Sequence, residues 1–180
     1  MGQAVRARCP VLTFGERGEV RARDVSLDEG LRPRFRLESP WGRADVRLEV
    51  HGAHMVSNAL AAAAVGLFLG LSPDLVADGL SAARLSPWRM EVETASSGLV
   101  VINDAYNANP ASMVAGLEAL AALAVAGRRI AVVGLMAELG GYEAIAHLEM
   151  ADRAALLGID LVAVGTDLYG VASLAGIDEA

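Results

Sequence analysis

Apolar and polar residues alternate in short runs over the first fifty positions. Turn-forming residues at 15–18, 28–30 and 39–42 separate the runs, and arginines such as Arg34, Arg36 and Arg47 fall between apolar positions. This pattern is typical of antiparallel strands with one face in water. It predicts a meander with strands at residues 10–14, 19–25, 33–38 and 44–50.

The pattern then changes to helical spacing. Apolar residues recur at Val56, Leu60 and Leu67 within an alanine-rich run, which predicts a helix over residues 55–69 that ends at Gly70. Ser72 and Pro73 are suited to the N-cap and first-turn positions of a second helix, which we expect to reach about residue 83.

From residue 88 onward, strands and helices alternate. The pattern predicts strands at residues 91–94, 99–103, 129–133 and 161–164, and helices at 110–126 and 142–157. Alternation of this kind indicates an α/β fold whose parallel sheet is joined by helical crossovers. Residues 168–180 could begin another helix. We place the domain boundary near residues 85–87 and predict two domains, 1–87 and 88–180.

Composition and charge narrow the possible classes of protein. The 180 residues are 54% apolar, and the net charge is −7. The first value argues against disorder, and the second argues against a general nucleic-acid or anionic-membrane binder. The longest apolar stretch is too short for a membrane span, and no signal peptide is visible. The lone Cys9 excludes an intrachain disulfide and favours a reducing, cytoplasmic location.

All fifteen basic residues are arginine, and the sequence contains no lysine. Catalysis by a lysine amine or by a P-loop lysine is therefore excluded for this chain alone.

Three loops follow strands of the predicted parallel sheet, at residues 103–110, 134–141 and 165–167. Because ligands bind beyond the carboxyl ends of parallel strands, we expect Asp104, Glu138 and Thr166 to share one edge. Asn109, with Pro110, has the residue types of a helix start. We therefore expect loss of Asp104 to impair ligand use and loss of Asn109 to lower stability.

His54 and Asn58 lie four residues apart at the start of a helix, so they share one face. Taken alone, His54 is better explained by a loop or cap position than by a ligand contact. Asn58 is unusual inside an alanine-rich helix and requires a polar partner. The three histidines do not have metal-ligand spacing, so we expect no metal site among them.

Four segments resemble motifs of the Mur ligases in order and spacing. They read H-M-V-S-N-A-L-A-A-A-A at 54–64, R-M-E at 89–91, N-D-A-Y-N-A-N-P-A-S-M at 103–113 and G-L-M-A-E-L-G at 134–140. The third and fourth are similar to segments of the family member that adds D-alanyl-D-alanine. The resemblance extends from about residue 11 to the end of the chain.

The resemblance implies an ATP-dependent amide ligase of peptidoglycan precursor synthesis that acts through an acyl phosphate. Its substrates would be ATP, the UDP-muramoyl-tripeptide and D-alanyl-D-alanine, in a monomeric protein without membrane insertion. It further implies that residues 1–87 end the central ATP-binding domain, with a small antiparallel sheet and helices. Residues 88–180 would then form most of a Rossmann-like C-terminal domain, with the fold incomplete at both ends. The P-loop and most Mg²⁺ ligands of the family lie N-terminal to the matched segments, so we expect this chain alone to be inactive.

The resemblance also assigns roles to individual residues. ATP-binding residues would be His54, Asn58, Arg89 and Asp104, with Asn58 at the adenine edge and the last two at the ribose and phosphates. Acceptor-binding residues would be Tyr106, Asn107 and Asn109.

Three residues depart from the family pattern. Met55 stands in place of asparagine, Trp88 in place of glycine and Leu135 in place of an acidic residue. Two other functions remain open at this point. One is a non-catalytic nucleotide- or partner-binding remnant, and the other is a superfamily relative such as a folylpolyglutamate ligase.

Overall fold

The computed structural model describes residues 10–174. The chain divides into two compact units, Met1–Leu85 and Ser86–Ala180.

The first unit packs two helices against an antiparallel sheet. The strands are β1 (Arg21–Leu27), β2 (Pro33–Ser39) and β3 (Gly42–Arg47), in the order β1-β2-β3, and the helices are α1 (Met55–Phe68) and α2 (Pro73–Ser81). The alternation along β2 buries Phe35 and Leu37 and exposes Arg34 and Arg36. The two buried side chains join one core with Leu60 and Leu67 of α1. Three of the four strands of the predicted meander, and its two helices, are thus present.

The expected strand at residues 10–14 is wrong. Only an isolated bridge joins Phe14 to Val20. The Glu19 carboxylate accepts hydrogen bonds from the backbone amide and the hydroxyl of Thr13, and the Gly15 amide donates to the Val20 carbonyl. These bonds close a local loop and use the backbone groups that a strand would need for pairing.

The second unit contains two separate sheets. Strands β4 (Glu91–Thr94) and β5 (Val100–Asn103) form an antiparallel pair, whereas β6 (Ile130–Val133), β7 (Asp160–Val164) and β8 (Ser173–Leu174) form a parallel sheet in that order. Helices α3 (Pro110–Ala122) and α4 (Glu143–Leu156) connect the strands. Leu117, Met150 and Ala163 belong to one core built from α3, α4 and the parallel sheet. The predicted mixed α/β class, with a parallel sheet in the second half, is confirmed.

Two expectations for this unit need correction. Helix α3 ends four residues early, because Leu123 leaves helical conformation and the Arg129 guanidinium binds the carbonyls of Leu120 and Leu123. The helix expected from residue 168 is also wrong as far as residue 174, where β8 pairs with β7. Residues 175–180 lie outside the described part.

Candidate functional site

The loop after β5 contacts the segment that precedes β4. Oδ1 of Asp104 accepts a hydrogen bond from the Met90 amide at 3.0 Å, and the Tyr106 amide donates to the Trp88 carbonyl at 3.1 Å. Asp104 is half-buried, and the Met90 side chain is buried. These two bonds hold residues 88–90 beside the loop that follows β5, on either side of Arg89.

The backbone of this segment is strained at two positions. Trp88 has a φ of 65° and Met90 a φ of 51°, both in the left-handed region that favours glycine. A left-handed conformation at position 88 is one that glycine adopts without steric cost, and the resembled motif carries glycine there. This chain therefore adopts a left-handed conformation at position 88 without the residue that adopts it most easily.

Arg89 and Tyr106 are stacked. The guanidinium carbon Cζ of Arg89 lies 3.7 Å from the centroid of the Tyr106 ring, and the Arg89 Nε donates to the Ser86 hydroxyl at 3.0 Å. Both side chains are exposed. The structure thus brings together a residue predicted to bind ATP and a residue predicted to bind the acceptor.

Asn109 caps α3, as its sequence position predicted. Its Oδ1 accepts from the Ser112 amide at 3.0 Å, and the Ser112 hydroxyl accepts from the Asn109 amide at 3.0 Å. This reciprocal capping box occupies the Asn109 side-chain oxygen. Asn107, two residues earlier, is exposed.

His54 and Asn58 belong to the first unit. His54 occupies the N-cap position of α1, although its side chain makes no capping hydrogen bond. Asn58 is exposed in the first turn, and its Nδ2 lies 3.7 Å from the sulfur of Met55, to which it donates. A thioether is a weak acceptor, so the Asn58 amide keeps most of its hydrogen-bonding capacity.

The three loops do not all follow one sheet. Glu138 and Thr166 follow the adjacent parallel strands β6 and β7, as predicted. Asp104 instead follows β5, which pairs with β4 in a separate sheet, so the expectation that all three share one edge is wrong. The hairpin turn between β4 and β5 explains the difference, because it gives β5 an adjacent partner.

Two residues without a predicted role fix the loop after β6. The Met136 amide donates to Nε2 of the buried His147 at 2.9 Å, and the Tyr169 hydroxyl donates to the Gly134 carbonyl at 2.8 Å. The rings of His147 and Tyr169 meet edge to face, with centroids 4.8 Å apart, and burial raises the pKa of Tyr169.

The sequence carried a signal for one of these two residues. His147 has helical spacing with Met150 and Ala154, and all three are buried on one face of α4. That spacing could have placed the histidine in the core. Tyr169 stands alone in its segment and offers no comparable pattern.

Among residues 10–174, no group of three or more His, Cys, Asp or Glu side chains could hold a metal ion. The helices in the same range are too short or too polar to cross a membrane.

Comparisons with known proteins agree with the resemblance. Residues 88–175 match the family model described as "Mur ligase, glutamate ligase domain". The chain is 46% identical over 172 residues to the UDP-N-acetylmuramoyl-tripeptide–D-alanyl-D-alanine ligase of Mycobacterium tuberculosis. The aligned region covers 92% of this chain and 34% of that protein.

Solved structures give the same result. MurF from Acinetobacter baumannii superposes with a TM-score of 0.81 at 34% identity, covering 92% of this chain and 37% of that one. MurF from Thermotoga maritima in complex with ADP superposes with a TM-score of 0.74 at 26% identity, covering 93% of this chain and 39% of that one. The chain spans about a third of the length of the curated relatives it matches. The motifs, the matched domain and these likenesses together show that the chain belongs to the Mur ligase family.

Proposed function

We propose that this chain is the ATP- and acceptor-binding part of a ligase that joins D-alanyl-D-alanine to UDP-N-acetylmuramoyl-tripeptide. The observation that carries the proposal is the 46% identity over 172 residues to a ligase named for that reaction. The reaction consumes ATP and a UDP-linked precursor, which supports a cytoplasmic location.

The reaction forms an amide in two steps. The tripeptide carboxylate attacks the γ-phosphorus of ATP, which gives an acyl phosphate and ADP. The amine of D-alanyl-D-alanine then attacks the acyl carbon, loses a proton and expels inorganic phosphate. Phosphate is a much better leaving group than the oxide of a free carboxylate, and cationic groups offset the charge that develops on the phosphoryl oxygens.

We assign nucleotide contacts to four residues. In the second unit, the exposed Arg89 guanidinium suits the phosphates, since it presents a fork of N–H donors. The Asp104 carboxylate suits ribose hydroxyls, since its oxygens accept hydrogen bonds, as Oδ1 does from the Met90 amide. In the first unit, Asn58 is assigned to the adenine edge and His54 to its vicinity. The ADP complex of the Thermotoga maritima relative supports a nucleotide ligand.

We assign the acceptor dipeptide to Tyr106, Asn107 and Asn109. Tyr106 and Asn107 are exposed on the loop that follows Asp104. Asn109 uses its side-chain oxygen in the cap of α3, so its Nδ2 is the group left for an acceptor. Because the described residues contain no metal-binding cluster, they do not fit a Mg²⁺ centre, and we derive no step through that ion.

The proposal is tested with the full-length protein that carries this sequence. Phosphate release should require ATP, the UDP-muramoyl-tripeptide and D-alanyl-D-alanine together, and mass spectrometry should find the pentapeptide product. The 180-residue chain alone should release no phosphate above a buffer control, since it has no lysine for the β- and γ-phosphates. Ligation of L-glutamate to a folate instead, or nucleotide binding without ligation, would overturn the proposal.

A further inference from the structure

We propose that Tyr106 is a positioning residue for the nucleotide, because its ring holds the Arg89 guanidinium in the orientation that receives the phosphates. This inference rests on the proposed function and adds a role that acts through Arg89. It gives Tyr106 two roles, with its ring toward Arg89 and its hydroxyl toward the acceptor.

The stacking contact leaves the terminal N–H groups of Arg89 available to bind a phosphate. A ring stacked at 3.7 Å covers one face of the planar guanidinium but leaves its N–H edges exposed. Nε is already used by Ser86. The terminal nitrogens of Arg89 make no hydrogen bond within residues 10–174, so they retain the forked geometry that binds a phosphate with two parallel bonds.

Backbone hydrogen bonds hold the segment that carries Arg89 beside the loop that carries Tyr106. The Tyr106 amide binds the Trp88 carbonyl, and Asp104 binds the Met90 amide, so the contacts flank Arg89 on both sides. Residues 88 and 90 both have left-handed backbone conformations, which fixes the direction in which the chain presents Arg89. A mobile arginine would lose rotamer entropy on binding a phosphate, and the stack removes part of that cost in advance.

The ring retains enough exposure for its second role. Tyr106 is 53% exposed although one face meets Arg89. Its hydroxyl makes no hydrogen bond to any other described residue. The arrangement therefore separates the contribution of the ring from that of the hydroxyl, and two substitutions can distinguish them.

The experiment compares Tyr106→Leu with Tyr106→Phe in the full-length protein. Loss of an exposed cation–π contact, worth about 0.5–1 kcal/mol, should raise the KM for ATP about two- to fivefold in Tyr106→Leu. Tyr106→Phe keeps the ring and should keep that KM within about twofold of the wild type, although its KM for D-alanyl-D-alanine should rise. Trp41→Leu, at an exposed aromatic residue in the first unit, is the matched control and should change neither value.

Two further measurements exclude a merely structural effect. In the Arg89→Gln background, Tyr106→Leu should no longer change the KM for ATP, because the effect passes through Arg89. The Nε–H resonance of Arg89, assigned by its absence in Arg89→Gln, should lie upfield through the ring current. It should stay there in Tyr106→Phe and move downfield in Tyr106→Leu.

The outcomes separate this inference from the proposed function. A wild-type protein that does not ligate D-alanyl-D-alanine refutes the function, whereas the resonance still reports on the stack. An active wild type in which Tyr106→Leu and Tyr106→Phe share one KM for ATP refutes the positioning role. An equal effect of Tyr106→Leu with and without Arg89 refutes it as well.

Discussion

Replacing Asp104 with alanine is expected to destabilise the second unit as well as to impair ATP use. Its carboxylate accepts the amide of Met90, whose side chain is buried and whose backbone is left-handed. The sequence alone predicts a ligand role for Asp104 and no role in stability. The hydrogen bond to Met90 gives Asp104 both roles.

The magnitude follows from that bond. A hydrogen bond to a charged group contributes about 1.5–3 kcal/mol, and alanine leaves the Met90 amide without this acceptor. A domain of about 100 residues loses roughly 4–8 °C of melting temperature per kcal/mol. We therefore expect Asp104→Ala to lower the melting temperature by at least about 6 °C. In addition, kcat/KM for ATP should fall roughly ten- to a hundredfold through the lost ribose contact.

Asp104→Asn separates the two roles. It retains an oxygen that can accept from the Met90 amide but loses the charge, so the free energy of unfolding should fall by only about 1 kcal/mol. Its loss in kcat/KM should be nearer to that of the alanine variant. Asp152→Ala, at an exposed aspartate on α4, is the matched control and should melt within about 1 °C of the wild type. Thermal denaturation and steady-state kinetics at varied ATP provide both measurements.

One result would refute the reasoning. If Asp104→Ala melts with the control while losing activity, then the bond to Met90 contributes nothing to stability and the left-handed turn is maintained by other contacts. If instead it melts early but keeps its kcat/KM at a temperature where it is folded, Asp104 has no part in nucleotide binding.

Substitutions at three other sites test contacts and backbone strain seen in the structure. Trp88→Gly should raise the free energy of unfolding by about 0.5–1 kcal/mol, because the relief of steric strain at a φ of 65° exceeds the extra backbone entropy that glycine loses on folding. A free energy of unfolding below that of the wild type in urea denaturation would contradict the assigned strain. His147→Leu should lower the free energy of unfolding by about 1–3 kcal/mol and speed hydrogen exchange at the Met136 amide. His147→Gln keeps a hydrogen-bond acceptor and should recover part of the stability and part of the protection from exchange. Equal behaviour of the two variants would refute the contact. The hydrogen bond from Arg21, with nearby arginine charges, lowers the pKa of Glu38 below 4.5, so its contribution to stability is present above that pH and is lost as the pH falls through the lower folded value. Glu38→Gln should therefore flatten the dependence of stability on pH below 4.5, and an unchanged slope would show that Glu38 does not produce it.

The elements that could be predicted are those with local causes. Ser72 accepts from the Leu75 amide and Asn109 accepts from the Ser112 amide, as their positions before a proline indicated. Capping joins residues three apart in the sequence, so a short segment contains all the information needed. The alternation in β2 is local in the same sense, since burial of one face follows from the period of the strand.

The separation of β5 from the parallel sheet could not be predicted in this way. A short apolar run such as that of β5 is equally suited to an antiparallel pair and to a parallel sheet. The tight turn between β4 and β5 determines the outcome, because it brings a partner within reach at little entropic cost. The stack of Arg89 on Tyr106 could not be predicted either. It depends on how the segment before β4 meets the loop after β5, and on the backbone conformation at Trp88.

Three residues depart from the family pattern, namely Met55, Trp88 and Leu135. Each changes the chemistry of a side chain at a position where contacts of neighbouring residues determine the backbone conformation. Leu135 is exposed, and the residues on either side of it are bound by Tyr169 and His147, so the loop keeps its conformation whichever side chain stands at 135. Met55 begins α1, and its sulfur receives the Asn58 amide without disturbing the helix. At Trp88, hydrogen bonds from the loop after β5 offset the strain of the left-handed turn. Because none of the three determines the path of the chain, the family fold tolerates them. At Trp88 the effect is on stability, through the strained backbone. At positions 55 and 135 the effects should be confined to the ligand contacts that the usual residues would have made.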